Sequence, residues 1–153
     1  MSPDLPDEIV LELTQLNRLF SEYGTLLTKS GQVAPDRVEL LALAALLHSF
    51  YTGVENIFKR IILHQEGAVP ASPFWHKDLL NRMAQPFRNG PAAISPALQE
   101  RLKDYLDFRH AFRQAYSFQM RWDRMAPLVQ HCLETFSLLE KEMRAFLSQD
   151  PQA

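Results

Sequence analysis

The sequence predicts an all-α fold: an up-and-down bundle of four long helices and one short helix, in a single domain over residues 1–153. Three observations carry that expectation. Apolar residues recur at helical spacing through each long segment, and helix-capping residues mark the breaks between segments. No stretch shows the sustained period-two alternation of a half-buried strand. At 153 residues, with 46% hydrophobic and 22% charged, the chain is large enough to bury one core and has the balance of a globular domain.

The first helix is expected over about 6–30, with Ile9, Leu13, Leu16, Phe20, Tyr23 and Leu27 facing inward. Gly31 closes it, and Pro35 can open the second helix at its first position, where a missing N–H is harmless. The second helix runs to about residue 65, roughly 45 Å at 1.5 Å per residue, and Gly67 stops it. Ser72-Pro73 and Ser95-Pro96 repeat one signature, a serine N-cap before a proline. They open a short third helix over about 73–85 and a fourth from about 96, with PFRNGP at 86–91 as the loop between them. A fifth helix, capped by Asp123 and running to about 148, turns Leu128, Cys132, Phe136, Leu139 and Met143 toward the core. The chain is therefore expected to break around 117–122.

Composition narrows the function. Cys132 stands alone, so no internal disulfide forms, and a reducing compartment fits; its expected role is that of a small buried hydrophobe. The opening MSPDLPDEIV places acids where a signal peptide needs bases, and the apolar run LLALAALL at 40–47 is too short to span a bilayer. A cytoplasmic chain with no membrane partner is expected. His64, His76 and His131 are scattered without zinc-ligand spacing, so neither metal nor cofactor is expected. No Gly-rich phosphate loop and no Ser/His/Asp constellation is visible.

The net charge of −2 announces no polyanion binder, but its distribution is uneven. Residues 1–30 hold Asp4, Asp7, Glu8, Glu12 and Glu22 against Arg18 and Lys29. Residues 101–125 hold six bases against Asp104, Asp107 and Asp123. Local positive charge of that kind attracts phosphates. Within it lies FRHAFRQAYSF at 108–118. On a straight helix Arg109, Arg113 and Tyr116 fall at i, i+4 and i+7 and share a strip, while Phe108, Phe112 and Ala115 line an adjacent inward face. Guanidinium forks beside a phenol suit a phosphate or carboxylate. Gln114, about 140° around the helix from Arg109, leaves that strip unless the helix ends nearby or a second subunit completes the site. Helix two adds a polar stripe, His48, Thr52, Glu55 and Lys59 with Asn56 beside them, that faces either solvent or a shared cleft.

The run R109-H-A-F-R-Q114-A-Y116 resembles the R-x4-H-x-Y signature of the HepT-like branch of the HEPN superfamily, with Gln where the signature has His. FYTGVENIFKRI at 50–61, PFWHKDLLNRM at 73–83 and the WDRM-x-PLV run at 122–129 resemble, in order, that branch's second helix, short third helix and final-helix start. The resemblance implies a helical homodimer, a metal-independent endoribonuclease acting as the toxin of a type VII-like toxin–antitoxin pair. It implies that Arg109 holds an RNA phosphate and that residue 114 sits at the proton-transfer position as the 2′-hydroxyl attacks. It implies further that Tyr116 accepts AMP from an MntA-type nucleotidyltransferase antitoxin, with the two active-site motifs meeting across a dimer cleft. Arg113 is read as a second phosphate ligand, and His48, Glu55, Asn56 and His110 as supporting cleft residues.

Gln114 is where this chain departs from the signature. An amide hydrogen-bonds but cannot exchange a proton near neutrality, a role worth about 10²–10⁴-fold in rate. Three explanations stand open: catalysis is weakened here, the histidine's work has moved, His110 being one alternative position, or the glutamine is an introduced substitution that permits expression of a toxic chain. Two rivals stand beside the ribonuclease: a non-catalytic helical module that binds a protein or nucleotide, and a structural bundle whose arginines merely pair with Asp104, Asp107 or Glu55.

Overall fold

The computed structural model describes residues 4–149, and among these every regular element is helical. In chain order they are α1 (Leu5–Glu22), α2 (Gly24–Ser30), α3 (Arg37–Glu66), α4 (Trp75–Met83), α5 (Pro96–Gln114), a single 3₁₀ turn (Ser117–Gln119) and α6 (Trp122–Gln149). The expected all-α bundle is therefore present, with the expected first helix divided into α1 and α2 at Tyr23.

The ends of the helices follow from side chains that satisfy orphaned backbone groups. Asp4 caps α1 by accepting from the Asp7 N–H at 3.0 Å. Asp36 and Glu39 form a reciprocal capping box on α3, at 2.8 and 3.1 Å. That box moves the start of α3 beyond Pro35, which lies outside the helix. Ser95 caps α5 as the sequence predicts, accepting from the Leu98 N–H with Pro96 at the first position. Ser72 behaves differently: it accepts from the Phe74 N–H in a tight turn, and α4 begins only at Trp75. Gly67 ends α3 with φ of 81°, a left-handed backbone that favours glycine.

Helix α3 is the spine, packed by α1, α4, α5 and α6. It is long and apolar enough to cross a membrane by length and composition, yet 61% of its most apolar window is buried inside the bundle. Phe50 at its centre meets the rings of Phe20, Tyr105 and Phe136 at 5.4, 5.3 and 6.4 Å. Helix α1 presses Ile9, Leu13, Leu16 and Phe20 on the spine, as its periodicity predicts. In α6 the inward residues are Met125, Val129, Cys132, Phe136, Leu139, Met143 and Phe146. Leu128, expected in that row, is only half-buried; its neighbour Val129 takes the inner position, and the Leu128 carbonyl instead accepts from the Tyr105 hydroxyl at 2.7 Å.

Candidate functional site

The basic segment of α5 runs past α3 and α4, and its last two turns carry the candidate residues. Leu102 and Tyr105 are buried and Phe108 and Phe112 pack on the core, which sets the rotation of the helix. With that rotation Arg109 points at α3, where its Nη1 donates to Glu55 Oε1 at 3.0 Å. The Arg109 side chain is 14% exposed and that of Glu55 only 3%. The other carboxylate oxygen of Glu55 lies 2.7 Å from His76 Nδ1, on α4. Because a carboxylate facing a guanidinium can only accept, Nδ1 carries the proton and donates. Glu55 thus joins three helices, α3 to α4 and α5, through one buried carboxylate.

Above this bridge opens a cleft of about 320 Å³ lined by His76, Leu106, Arg109, His110, Arg113 and Gln114. Arg113 is exposed and has no anionic partner among the described residues. Its charge is therefore available to a ligand, whereas that of Arg109 is already matched by Glu55. Gln114 reaches the cleft because α5 ends with it: Ala115 turns to an extended backbone at ψ 147°. The same ending corrects the expected strip. Tyr116 is not on the helix and does not line the cleft with Arg109 and Arg113.

Tyr116 lies instead at the entry of the 3₁₀ turn, 71% exposed, with its ring stacked on Phe118 at 5.5 Å and 6°. Arg37, at the start of α3, holds this segment by donating to the carbonyls of Phe118 and Met120 at 3.3 and 3.5 Å. The phenol is accessible, but its surroundings differ from those of the cleft.

Helix two's polar stripe divides. Glu55 is the buried centre of the bridge. His48 packs on the Phe112 ring at 5.3 Å, with its Nδ1 buried and unpaired, and does not line the cleft. Burial, then the charges of Arg109 and Arg113, push its pKa below the ordinary histidine value, so it stays neutral at pH 7. Asn56 is half-buried and likewise absent from the cleft wall. The Tyr51 hydroxyl, one turn before Glu55, is fully buried without a partner, and burial followed by the Glu55 charge holds it protonated.

His76 is the residue that the sequence did not single out. Its position on another helix, with the 84–95 loop between it and α5, carries no periodic signal, and only the packing of α4 against α5 brings it to the cleft. Among the described residues no group of three His, Cys, Asp or Glu side chains is placed to hold a metal ion.

The model of the HepT-like protein family matches residues 42–149, which covers α3 from its second turn, α4, α5, α6 and every residue of the cleft. The chain belongs to the HepT-like family. Neither the curated proteins nor the solved structures contain a match. In HepT-like terms, the matched region carries the Arg109–Glu55–His76 bridge, while α1 and α2 lie before it.

Proposed function

We propose that this HepT-like chain is the toxin component of a toxin–antitoxin pair, an endoribonuclease fold that binds RNA at the α5 cleft. The observation that carries the reading is the convergence of Arg109, Arg113 and Gln114, with His110, on one open wall. Arg113 supplies an uncompensated guanidinium for a phosphodiester, and the Gln114 amide supplies a further neutral donor. Arg109, clamped by Glu55, contributes the rigid rear of the site and orients what Arg113 attracts.

In this reading the RNA-bearing form is a homodimer whose second copy extends the cleft, and the exposed Tyr116 is the acceptor of AMP. The transfer joins the phenol oxygen to the α-phosphate of ATP and releases pyrophosphate, with an MntA-type nucleotidyltransferase as the enzyme. The ring's exposure supports this assignment, since a buried phenol cannot meet a second protein's active site.

RNA cleavage by the purified chain and by Gln114→His is the decisive assay. Cleavage by either, lost in Arg113→Ala, supports the reading; intact, folded protein that cleaves in neither form removes it. Incubation with the nucleotidyltransferase and ATP should add one AMP to the wild type and none to Tyr116→Phe. One observation favours the non-catalytic module: Glu55 neutralises the arginine that the ribonuclease reading needs most. That module predicts protein or nucleotide binding with no cleavage by any variant.

A further inference from the structure

The cleft contains a carboxylate–imidazole pair that the α5 motif does not include. His76 sends Nδ1 to Glu55 at 2.7 Å, and its Nε2 has no partner among the described residues. The ring is 30% exposed, lies flat on Trp75 at 3.6 Å, and forms part of the same wall as Arg109, Arg113 and Gln114. His110, the other histidine of the wall, is exposed and has no carboxylate partner among the described residues. Only His76 therefore has its tautomer set and its ring orientation held. Those are the requirements for a proton acceptor that acts without reorganising.

We infer that His76, positioned by Glu55, is the proton-transfer residue of this chain and does for RNA what a glutamine at 114 cannot. The inference rests on the ribonuclease reading above and names the residue that performs its chemistry. With Nδ1–H donating to Glu55, Nε2 presents a lone pair to the cleft. A phosphodiester drawn against Arg113 and Arg109 places its ribose 2′-hydroxyl at that lone pair. The bond from O2′ to phosphorus forms as the bond from phosphorus to O5′ breaks, and Nε2 takes the 2′-hydroxyl proton. The departing 5′-oxygen takes a proton from water, and the hydroxide left is neutralised by the proton that His76 then gives up. The products are a 2′,3′-cyclic phosphate end and a 5′-hydroxyl end. Glu55 is a positioning residue: it sets the tautomer and stabilises the imidazolium while it also clamps Arg109. The charged and titratable groups that touch His76 or share a cavity wall with it are Glu55 from α3, Glu100, Lys103, Asp107, Arg109, His110 and Arg113 from α5, and Lys77 from its own helix.

The test uses the full chain with bulk tRNA and a mixed-sequence single-stranded RNA, scored for cyclic-phosphate ends. His76→Gln should lose about 10²–10⁴-fold in cleavage rate while affinity for a non-cleavable 2′-O-methyl RNA stays within twofold. His131→Gln, far from the cleft on α6, should cleave as the wild type does. The rate of the wild type should depend on pH, and that dependence should flatten in His76→Gln. Added imidazole should restore part of the rate to His76→Ala. Glu55→Gln should lower the rate with RNA binding retained. If the wild type cleaves and His76→Gln cleaves within threefold of it, the inference is overturned and the ribonuclease reading stands. The same holds if the loss appears in His110→Gln instead, or if the wild type is silent and Gln114→His cleaves. If neither the wild type nor Gln114→His cleaves, the ribonuclease reading itself falls and takes the inference with it.

Discussion

Replacing Glu55 with leucine strands a cation inside the bundle. In the native chain the carboxylate is 3% exposed, accepts from Arg109 at 3.0 Å and from His76 at 2.7 Å, and so satisfies donors from two other helices. Arg109 Nε is already buried without a partner, so the guanidinium has little reserve of hydrogen bonding. Removing one member of a buried pair costs about 3–5 kcal/mol, because the other charge is left desolvated. The Arg109 side chain is still 14% exposed toward the cleft, which lets water reach it and places the expected cost at the lower end, about 3 kcal/mol. For a chain of this size that is a fall in Tm of roughly 6–12 °C. Adding Arg109→Met removes the stranded charge, and the double variant should return to within about 1 kcal/mol of the wild type. Urea unfolding followed by circular dichroism measures the wild type, the two single variants and the double variant, and the double-mutant cycle isolates the coupling between Glu55 and Arg109, which should exceed about 2 kcal/mol because Arg109→Met also strands a buried charge. A Glu55→Leu cost below about 1 kcal/mol, the worth of an exposed pair, would refute the buried bridge. So would a double variant as unstable as the single.

Gly53→Ala should destabilise, because a Cβ there would meet Leu16 Cδ2 at 2.5 Å and Cγ at 2.9 Å, where α1 crosses the spine. Overpacking of about 1–3 kcal/mol outweighs the ~1 kcal/mol gained in helix propensity; a higher Tm would mean that the two helices are not this close. Cys132 should react with a thiol reagent at about pH 8 only as fast as the chain unfolds. Its thiol is fully buried, donates to the Val129 carbonyl at 3.1 Å, and is pushed by burial up to about 11. Rapid labelling of the native protein would contradict that burial. His48 has a folded pKa below its unfolded value of 6.5, so the unfolded chain takes up its proton first. That contribution to stability is complete above pH 6.5 and declines as pH falls below it; His48→Gln should flatten the decline, and unchanged pH curves would remove the assignment.

Much of the scaffold was legible because helices write their inner faces into local spacing. Ile9, Leu13, Leu16 and Phe20 fall on one face of α1 wherever α1 is placed, and Ser95-Pro96 opens α5 through hydrogen bonds within four residues. Other signals were local but had competitors. Pro35 could begin α3, yet the Asp36–Glu39 box satisfies two backbone groups and prevails. The Ser72-Pro73 pair has the letters of a cap, but Ser72 closes a turn on Phe74 instead. The break at Tyr23 that separates α1 from α2 had no proline to mark it.

The candidate site divides along the same line. Its basic character, Arg109, Arg113 and the glutamine at 114 could all be read from FRHAFRQAYSF, since charge and residue type need no fold. A straight helix through 116 was the simplest extension of the pattern; the turn at Ala115 takes Tyr116 out of the strip and brings Gln114 to the cleft. Residues 1–153 by themselves therefore determine the helices, their inner faces and the concentration of cations near 109–113, all properties of short-range spacing. The packing of α3, α4 and α5 decides which of those cations is free and which histidine faces it. Glu55 could have met solvent, Arg113 or nothing at all. It meets Arg109 and His76 because three helices, far apart in sequence, bury one carboxylate between them, and a buried carboxylate must be answered by whatever donors surround it.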